Sequence, residues 1–321
     1  MRAKRLIAAL GVALMCAPGT FVRTPVAEGL PRHVALERVA GPARTTTPGW
    51  SVAGVWHYSS GPNRDFGGYS ALLAARDDRL LAFSDRGSRF AFARPDGPSP
   101  EPGERPIALQ AVAPPLSEDL WDIESATRDP ATGTYWLGFE NTHAILRYTP
   151  GHGFDGMRLL EGEVRWPSNS GAEAMVRLSD GRFVVLPEGG REGLVFAGDP
   201  VEVEAGEPFA FRNPAPGFAA TDLAQLPGGD LLLLMRNTVF ALPPFESLIA
   251  IGPPPRAGET WAPRIALRLE GVVPPENYEG IALEPFEDGR VAVWIISDDN
   301  LSIMQRTLLA KLVFDPSAAE D

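Results

Sequence analysis

Apolar residues along this chain arrive in short runs, and the runs arrive in pairs. The first member of each pair is brief and opens on a polar or acidic residue. A tight turn follows, and then a second run that is apolar at nearly every position and ends on a charged residue. The pairs are GYSALL (68–73) with RLLAFSDRG (79–87), DIESA (122–126) with TYWLGFEN (134–141), and AEAM (172–175) with RFVVLPE (182–188). TDLA (221–224) with DLLLLMR (230–236) and NYEGIALEPF (277–286) with RVAVWIISDDN (290–300) complete the set. The turns between them include PATG (130–133), SDG (179–181), PGG (227–229) and Asp288-Gly289. Runs this short, partly β-branched or aromatic and bounded by Gly, Pro and Asp, predict strands rather than helices. Each pair is therefore a β-hairpin.

The hairpins repeat. Their leading residues are Ser70, Glu124, Glu173, Asp222 and Glu279, at separations of 54, 49, 49 and 57. A period near 50 with one hairpin per unit predicts an all-β fold, a β-propeller. The nearly continuous apolar second runs suit strands wedged between neighbouring blades and buried on both faces. Five hairpins predict five blades; six would follow if residues 31–60 and the C-terminus hid a degenerate unit. Further strands are expected at 89–93, 144–148, 193–196, 239–242, 265–269 and 308–314. The last hairpin is followed by a single outer strand. Residues 50–58 (WSVAGVWHY) are expected to complete that blade and close the ring from the other terminus, which removes the exposed edges of an open ring. Residues 34–39 read as a stray strand. The Pro-rich stretches 94–106 and 243–263 read as loops, since no central strand holds Pro253-Pro254-Pro255.

The N-terminus changes the picture of location. Arg2, Lys4 and Arg5 precede an apolar run at 6–17, a secretory signal too short to span a bilayer. The expected organisation is signal 1–27, leader 28–49, propeller 50–316 and tail 317–321, in a periplasmic or secreted protein. The sole cysteine, Cys16, lies inside the signal. Met15 before it disfavours a lipoprotein signal, and cleavage after it leaves no thiol for disulfides or catalysis. No later stretch is apolar and long enough to cross a membrane.

Gly 33 and Pro 32 make up about a fifth of the 321 residues, against average usage of about 7% and about 5%, in keeping with frequent turns. The formal charge of -12 excludes nucleic acid as a favoured partner and disfavours an anionic substrate unless a cation intervenes. The expected partner is a small molecule, and the expected state is a monomer.

In a propeller the leading residues encircle one mouth of the channel. The second strands return to the same mouth with Asp85, Glu140, Glu188, Arg236 and Asp298. Carboxylates gathered in a small volume repel one another and are relieved by protonation, arginine or a bound cation. Ca²⁺ takes six to eight oxygen ligands, and Glu124, Glu173, Asp222, Glu279, Asp299 and Asn300 are the candidate ligands, with Asn141 adding a carbonyl. Asp298 or Glu188 is the candidate general base, with Arg86 beside them. Ser70, Asp85, Arg236 and Arg306 are candidate substrate contacts. Zinc is disfavoured, because His33, His57, His143 and His152 show no ligand spacing. GGYSAL around Ser70 lacks a nucleophile-elbow motif, which argues against a Ser-His-Asp hydrolase.

Taken together, GYSALL with FSDRG, DIESA with GFEN, AEAMV with LPEGG, and NYEGIAL with SDDN and QRTLL resemble the phytase-like propeller family, "esterase-like activity of phytase". The resemblance covers roughly residues 50–316. It implies a secreted bacterial propeller that hydrolyses phosphate or other esters. Glu124, Glu173, Glu279, Asp85, Asp298 and Asp299 fall on its motif positions, whereas the fourth hairpin departs by ending in Arg236. Three functional readings are open from sequence: a metal-assisted hydrolase of phosphate or carboxylate esters, a non-catalytic binding propeller, and a divalent-metal lactonase-type hydrolase.

Overall fold

The computed structural model describes residues 33–60, 66–75, 78–97, 105–106, 108–111, 122–160, 162, 164, 166–167 and 170–319. The expected signal, with Cys16, lies outside the described residues. The second strand of each blade explains the architecture. In Leu231–Thr238 the residues Leu231, Leu233 and Met235 enter one hydrophobic core, and Leu232 and Leu234 enter another. In Val291–Asp298 the residues Val293 and Ile295 face one core, while Ala292, Trp294 and Ile296 face the next. A strand that is apolar at every position can bury both faces only between two other sheets. Five such cores lie between successive blades.

The sheets form a five-bladed β-propeller. The first blade is Tyr69–Ala74, Arg79–Ser84, Ser88–Ala93 and Ala108–Ala111. The second is Ile123–Arg128, Tyr135–Phe139, Ala144–Thr149 and Gly153–Leu159. The third is Ala174–Arg177, Phe183–Leu186, Glu192–Phe196 and Glu207–Phe211, with Thr260–Trp261 added in parallel at its edge. The fourth is Ala219–Gln225, Leu231–Thr238, Phe245–Gly252 and Arg264–Arg268. The fifth is Asn277–Pro285, Val291–Asp298, Thr307–Phe314 and Trp50–Ser59. The innermost strands touch in chain order, and Asn277–Pro285 returns to Tyr69–Ala74. At that last contact a Cβ on Gly280 would stand 2.9 Å from the backbone of Ala71 and Leu72, so only glycine allows the inner strands so close.

The ring closes as the chain pattern predicts. Trp50–Ser59 runs antiparallel to Thr307–Phe314, with Trp56 opposite Leu309 and Val55 opposite Ala310. The stray strand at 34–39 is part of His33–Ala40, which pairs with the outer side of Trp50–Ser59. It therefore belongs to the fifth sheet, although it falls in the stretch read as leader. Residues 239–242 do not form the fourth blade's third strand. They lie in a turn, and the strand is Phe245–Gly252, buried along most of its length. The prolines at 243–244 and 253–255 hid it, because they bound the strand rather than interrupt it.

The far end of the channel opens into a cavity of about 690 Å³ lined by inner-strand residues of all five blades, among them Leu72, Ala126, Val176, Leu223 and Ile281.

Leu312 is fully buried in Thr307–Phe314, opposite Val52 of the closing strand. Leu312→Ala is expected to lower unfolding stability by about 2–5 kcal/mol, read as a shift in the denaturant midpoint at unchanged slope.

Candidate functional site

Four of the five inner strands carry the same local irregularity. Where each pairs with its second strand, one residue is left without a partner: Ser70, Glu124, Thr221 and Glu279. Such a bulge bends the strand and re-aims the extra side chain. In the third blade Glu173 stands immediately before Ala174–Arg177. Five equivalent positions therefore open the inner strands at one end of the channel: Ser70, Glu124, Glu173, Thr221 and Glu279. The fourth corrects the sequence reading, which placed Asp222 there. Asp222 is one residue too far along and is fully buried. Its carboxylate accepts hydrogen bonds from the backbone N–H of Ile281 at 2.8 Å and of Leu223 at 2.8 Å. It staples the fourth blade to the fifth and is not a ligand at the mouth.

The other acids converge. Oxygens of Asp122, Glu124 and Glu140 lie within 4.8 Å of one another, and so do oxygens of Glu140, Glu173 and Glu188. Glu140 belongs to both triads. Asp122 was not singled out as a ligand from sequence; its place two residues before Glu124 was the available signal. Glu124 also feels the charges of Glu279 and Asp85. Asp298 lies among Glu279, Asp85 and Asp299. The Asn277 amide donates to Glu279 at 2.8 Å and to Asp298 at 3.3 Å, and the N–H of Asn300 donates to Asp298 at 2.7 Å. Ser70 is hydrogen-bonded to Glu279.

Arginines temper this charge unevenly. Arg236, on the second strand of the fourth blade, has its Nε 3.1 Å from Glu279 and its Nη2 3.3 Å from Glu188. Arg86 lies 3.2 Å from Asp85, which also accepts from Ser84. Arg306 is bound instead to the buried Glu276 at 2.7 Å, an acid the sequence did not single out, so it is an ion-pair partner and is not aimed at the clustered acids. Asp299 acts as an anchor: it accepts from Gly68 N–H, Leu301 N–H and the Thr307 hydroxyl, each at 3.1 Å. A Cβ on Gly67 would stand 2.4 Å from its carboxylate. The Asn300 side-chain amide donates to Gln305 and the Asn141 amide to Asp122. The two triads are made of carboxylates alone, a donor set suited to hard cations such as Ca²⁺ or Mg²⁺ rather than zinc.

The acids hold their protons unusually tightly. Burial pushes Glu124 and Glu173 well above the ordinary carboxylate range, and neighbouring acids add to it. Asp298 rises for the same reasons. Burial raises Asp85 and Glu279, against the pull of Arg86 and Arg236 respectively. Glu140 is raised to about 7, by burial first and then by a hydrogen bond to Asp122.

A family profile described as "Phytase-like: Esterase-like activity of phytase" matches residues 64–301. No curated protein matches the chain. Among solved structures, the extracellular domain of a hybrid two-component system from Bacteroides thetaiotaomicron is 13% identical at a TM-score of 0.41, over 78% of this chain and 28% of that one. Hydrazine synthase from Kuenenia stuttgartiensis is 12% identical at 0.39, over 73% and 57%. An endo-arabinase from B. thetaiotaomicron is 11% identical at 0.49, over 79% and 96%. The chain thus spans less than two thirds of the length of the first two. At these scores the likenesses carry nothing about the chemistry of this chain.

Two outcomes follow from the geometry. Asp222→Ala leaves two buried N–H groups without an acceptor and is expected to lower stability by about 2–4 kcal/mol, with cation binding unchanged by calorimetry. Without a cation, the raised acids retain protons that the unfolded chain, titrating near its usual value of about 4, has released. Their contribution to stability is therefore complete below that value and is lost as pH rises through the folded values, about 7 for Glu140. The melting midpoint in EDTA is expected to fall between pH 5 and pH 8 by roughly 3 °C or more.

Proposed function

The chain belongs to the phytase-like family, and from that premise we propose that it is an exported, cation-assisted hydrolase of small phosphate or carboxylate esters, working as a monomer at the acidic mouth. The observation that supports this most is the pair of carboxylate triads sharing Glu140, assembled from the second and third blades. Acids scattered over a surface for solubility have no reason to meet within 4.8 Å and half-buried. Export rests on the basic head and apolar run of residues 2–17.

Asp122, Glu124, Glu140, Glu173 and Glu188 are the residues that would hold the cation, and Ca²⁺ suits their all-oxygen chemistry. When bound, it would neutralise the clustered charge, polarise an ester oxygen and ease loss of a proton from water. Glu279 serves differently. Its contact with Arg236 fixes that guanidinium at the rim, where Arg236 and Arg86 orient the acid group of the substrate. Arginine forks suit phosphate and carboxylate alike. Asp298 is the general base of this reading. Its carboxylate is steadied by Asn277 and Asn300, and burial among other acids strengthens its hold on a proton. Asp85 and Ser70 set the positions of Arg86 and Glu279.

The decisive assay follows release of phosphate or nitrophenol from an ester panel with added Ca²⁺, with EDTA, and in Glu173→Gln. Hydrolysis is expected to be lost in EDTA. Loss of one ligand removes several kcal/mol of transition-state stabilisation, so kcat/KM is expected to drop by roughly 100-fold or more. Ca²⁺ is expected to raise the melting midpoint of the wild type. No turnover across the panel with Ca²⁺ present would replace this reading with a non-catalytic binding propeller. Turnover confined to lactones would select lactonase chemistry at the same mouth.

A further inference from the structure

The mouth has two chemistries. Five connections join second to third strands, one per blade, and all lie at this end because each second strand finishes there. In the first three the tip is charged: 85–87 with Asp85 and Arg86, 140–143 with Glu140, and 187–191 with Glu188. The connections of the fourth and fifth blades expose apolar tips; the charged residues of the fifth, Asp299 and Arg306, are engaged by Gly68 and Thr307 and by Glu276 respectively. Residues 239–244 read VFALPP, a turn whose customary turn residues are its two prolines alone and whose other side chains are apolar. Phe240 is 80% exposed and Leu242 68%.

The connection 299–306 is inverted with respect to solvent. Its Ser302 and Gln305 are each 6% exposed, whereas Ile303 is 59% exposed and Met304 38%. Polar groups within it are turned on one another: Asn300 donates to Gln305 at 3.0 Å, and the Met304 N–H donates to the Ser302 hydroxyl at 3.2 Å. Among the described residues, Phe240, Leu242 and Ile303 are the three most exposed large hydrophobic side chains. All three stand at one end of the ring, on adjoining blades that Arg236 and Glu279 bridge at 3.1 Å. A small crevice beside the first tip is lined by both apolar and acidic residues, among them Phe245, Glu246, Leu269, Glu270, Pro275 and Glu276. Phe245 follows that tip directly. Glu276 binds Arg306, the last residue of the second connection.

We infer that the ligand of the mouth is amphiphilic: a small ester whose acid group sits among the acids and arginines and whose apolar arm lies across Phe240, Leu242, Ile303 and Met304. This deepens the hydrolase reading and rests on it for the position of the acid group. Charge favours this occupant over the others an apolar rim admits. A second copy docked face to face would press two acidic mouths together. A single bound cation would offset the charge of one small ester, whereas an anionic bilayer would present many charges to the same acids and to the net charge of -12.

The test uses calorimetry with Ca²⁺ supplied and inorganic, butyl, hexyl and octyl phosphate below micelle-forming concentrations. Wild-type affinity is expected to rise about threefold per added methylene. A variant combining Phe240→Ser, Leu242→Ser, Ile303→Ser and Met304→Ser is expected to lose that rise while binding inorganic phosphate as the wild type does. These positions are exposed, and thermal melting checks that the variant folds. Affinity independent of chain length, or a rise undiminished in the variant, overturns the inference. So does a wild-type dimer that the variant abolishes in sedimentation, or capture on phosphatidylcholine vesicles without chain-length dependence in free solution. If no ester is hydrolysed yet the length-dependent binding and its loss are seen, the hydrolase reading fails and the amphiphilic mouth stands.

Discussion

Like charges held a few ångströms apart push the structure that carries them outward. Five inner strands bring their leading ends to one opening here, and three of those ends are glutamates. What resists the repulsion is burial of apolar strands on both faces. Each second strand is locked between two cores, so the rim cannot splay without exposing leucine, valine and isoleucine to water. The burial that forms the blades also desolvates the acids, which is why protons cling to Glu124, Glu173 and Asp298. Scaffold and site are thus two consequences of one constraint.

Closure matters for the same reason. Trp50–Ser59 joins Thr307–Phe314 along eight residue pairs, and the fifth blade supplies Glu279 and Asp298. A ring held together only by side-chain contacts at that seam could open under the repulsion at its mouth. Backbone pairing across the two ends of the chain prevents this. Asp222 contributes between the fourth and fifth blades by capping the Ile281 N–H. That bond ties together the two blades that carry the exposed apolar tips.

The rim's asymmetry is chemical, not architectural. All five blades follow one plan, yet exposed hydrophobic surface at the mouth falls on the last two second-to-third connections. Arg236 stands at the boundary. It replaces the acid found at the equivalent place in other hairpins and neutralises Glu188 and Glu279 on either side. The departure visible in the fourth hairpin is therefore the point at which one character of the mouth gives way to the other.

Much of this was legible without coordinates. The period near 50, the apolar second strands and the closing strand at residues 50–58 follow from patterns of side-chain polarity, which burial on both faces imposes locally. Repetition about an axis gave the expectation that acids of different blades gather at one opening; among them, oxygens of Glu140, Glu173 and Glu188 lie within 4.8 Å of one another. Phe245–Gly252 was obscured, since prolines on both sides of a strand look in sequence like prolines through it. Asp222 was misplaced because a bulge shifts the register by one residue, and that shift sets Thr221 rather than Asp222 at the mouth. Spacing along the chain thus determined the blades. Only the tertiary structure decided which carboxylates touch, that Asp122 joins them, that Arg306 is held by Glu276, and that apolar tips share the rim, because those outcomes depend on registers and contacts between strands far apart in sequence.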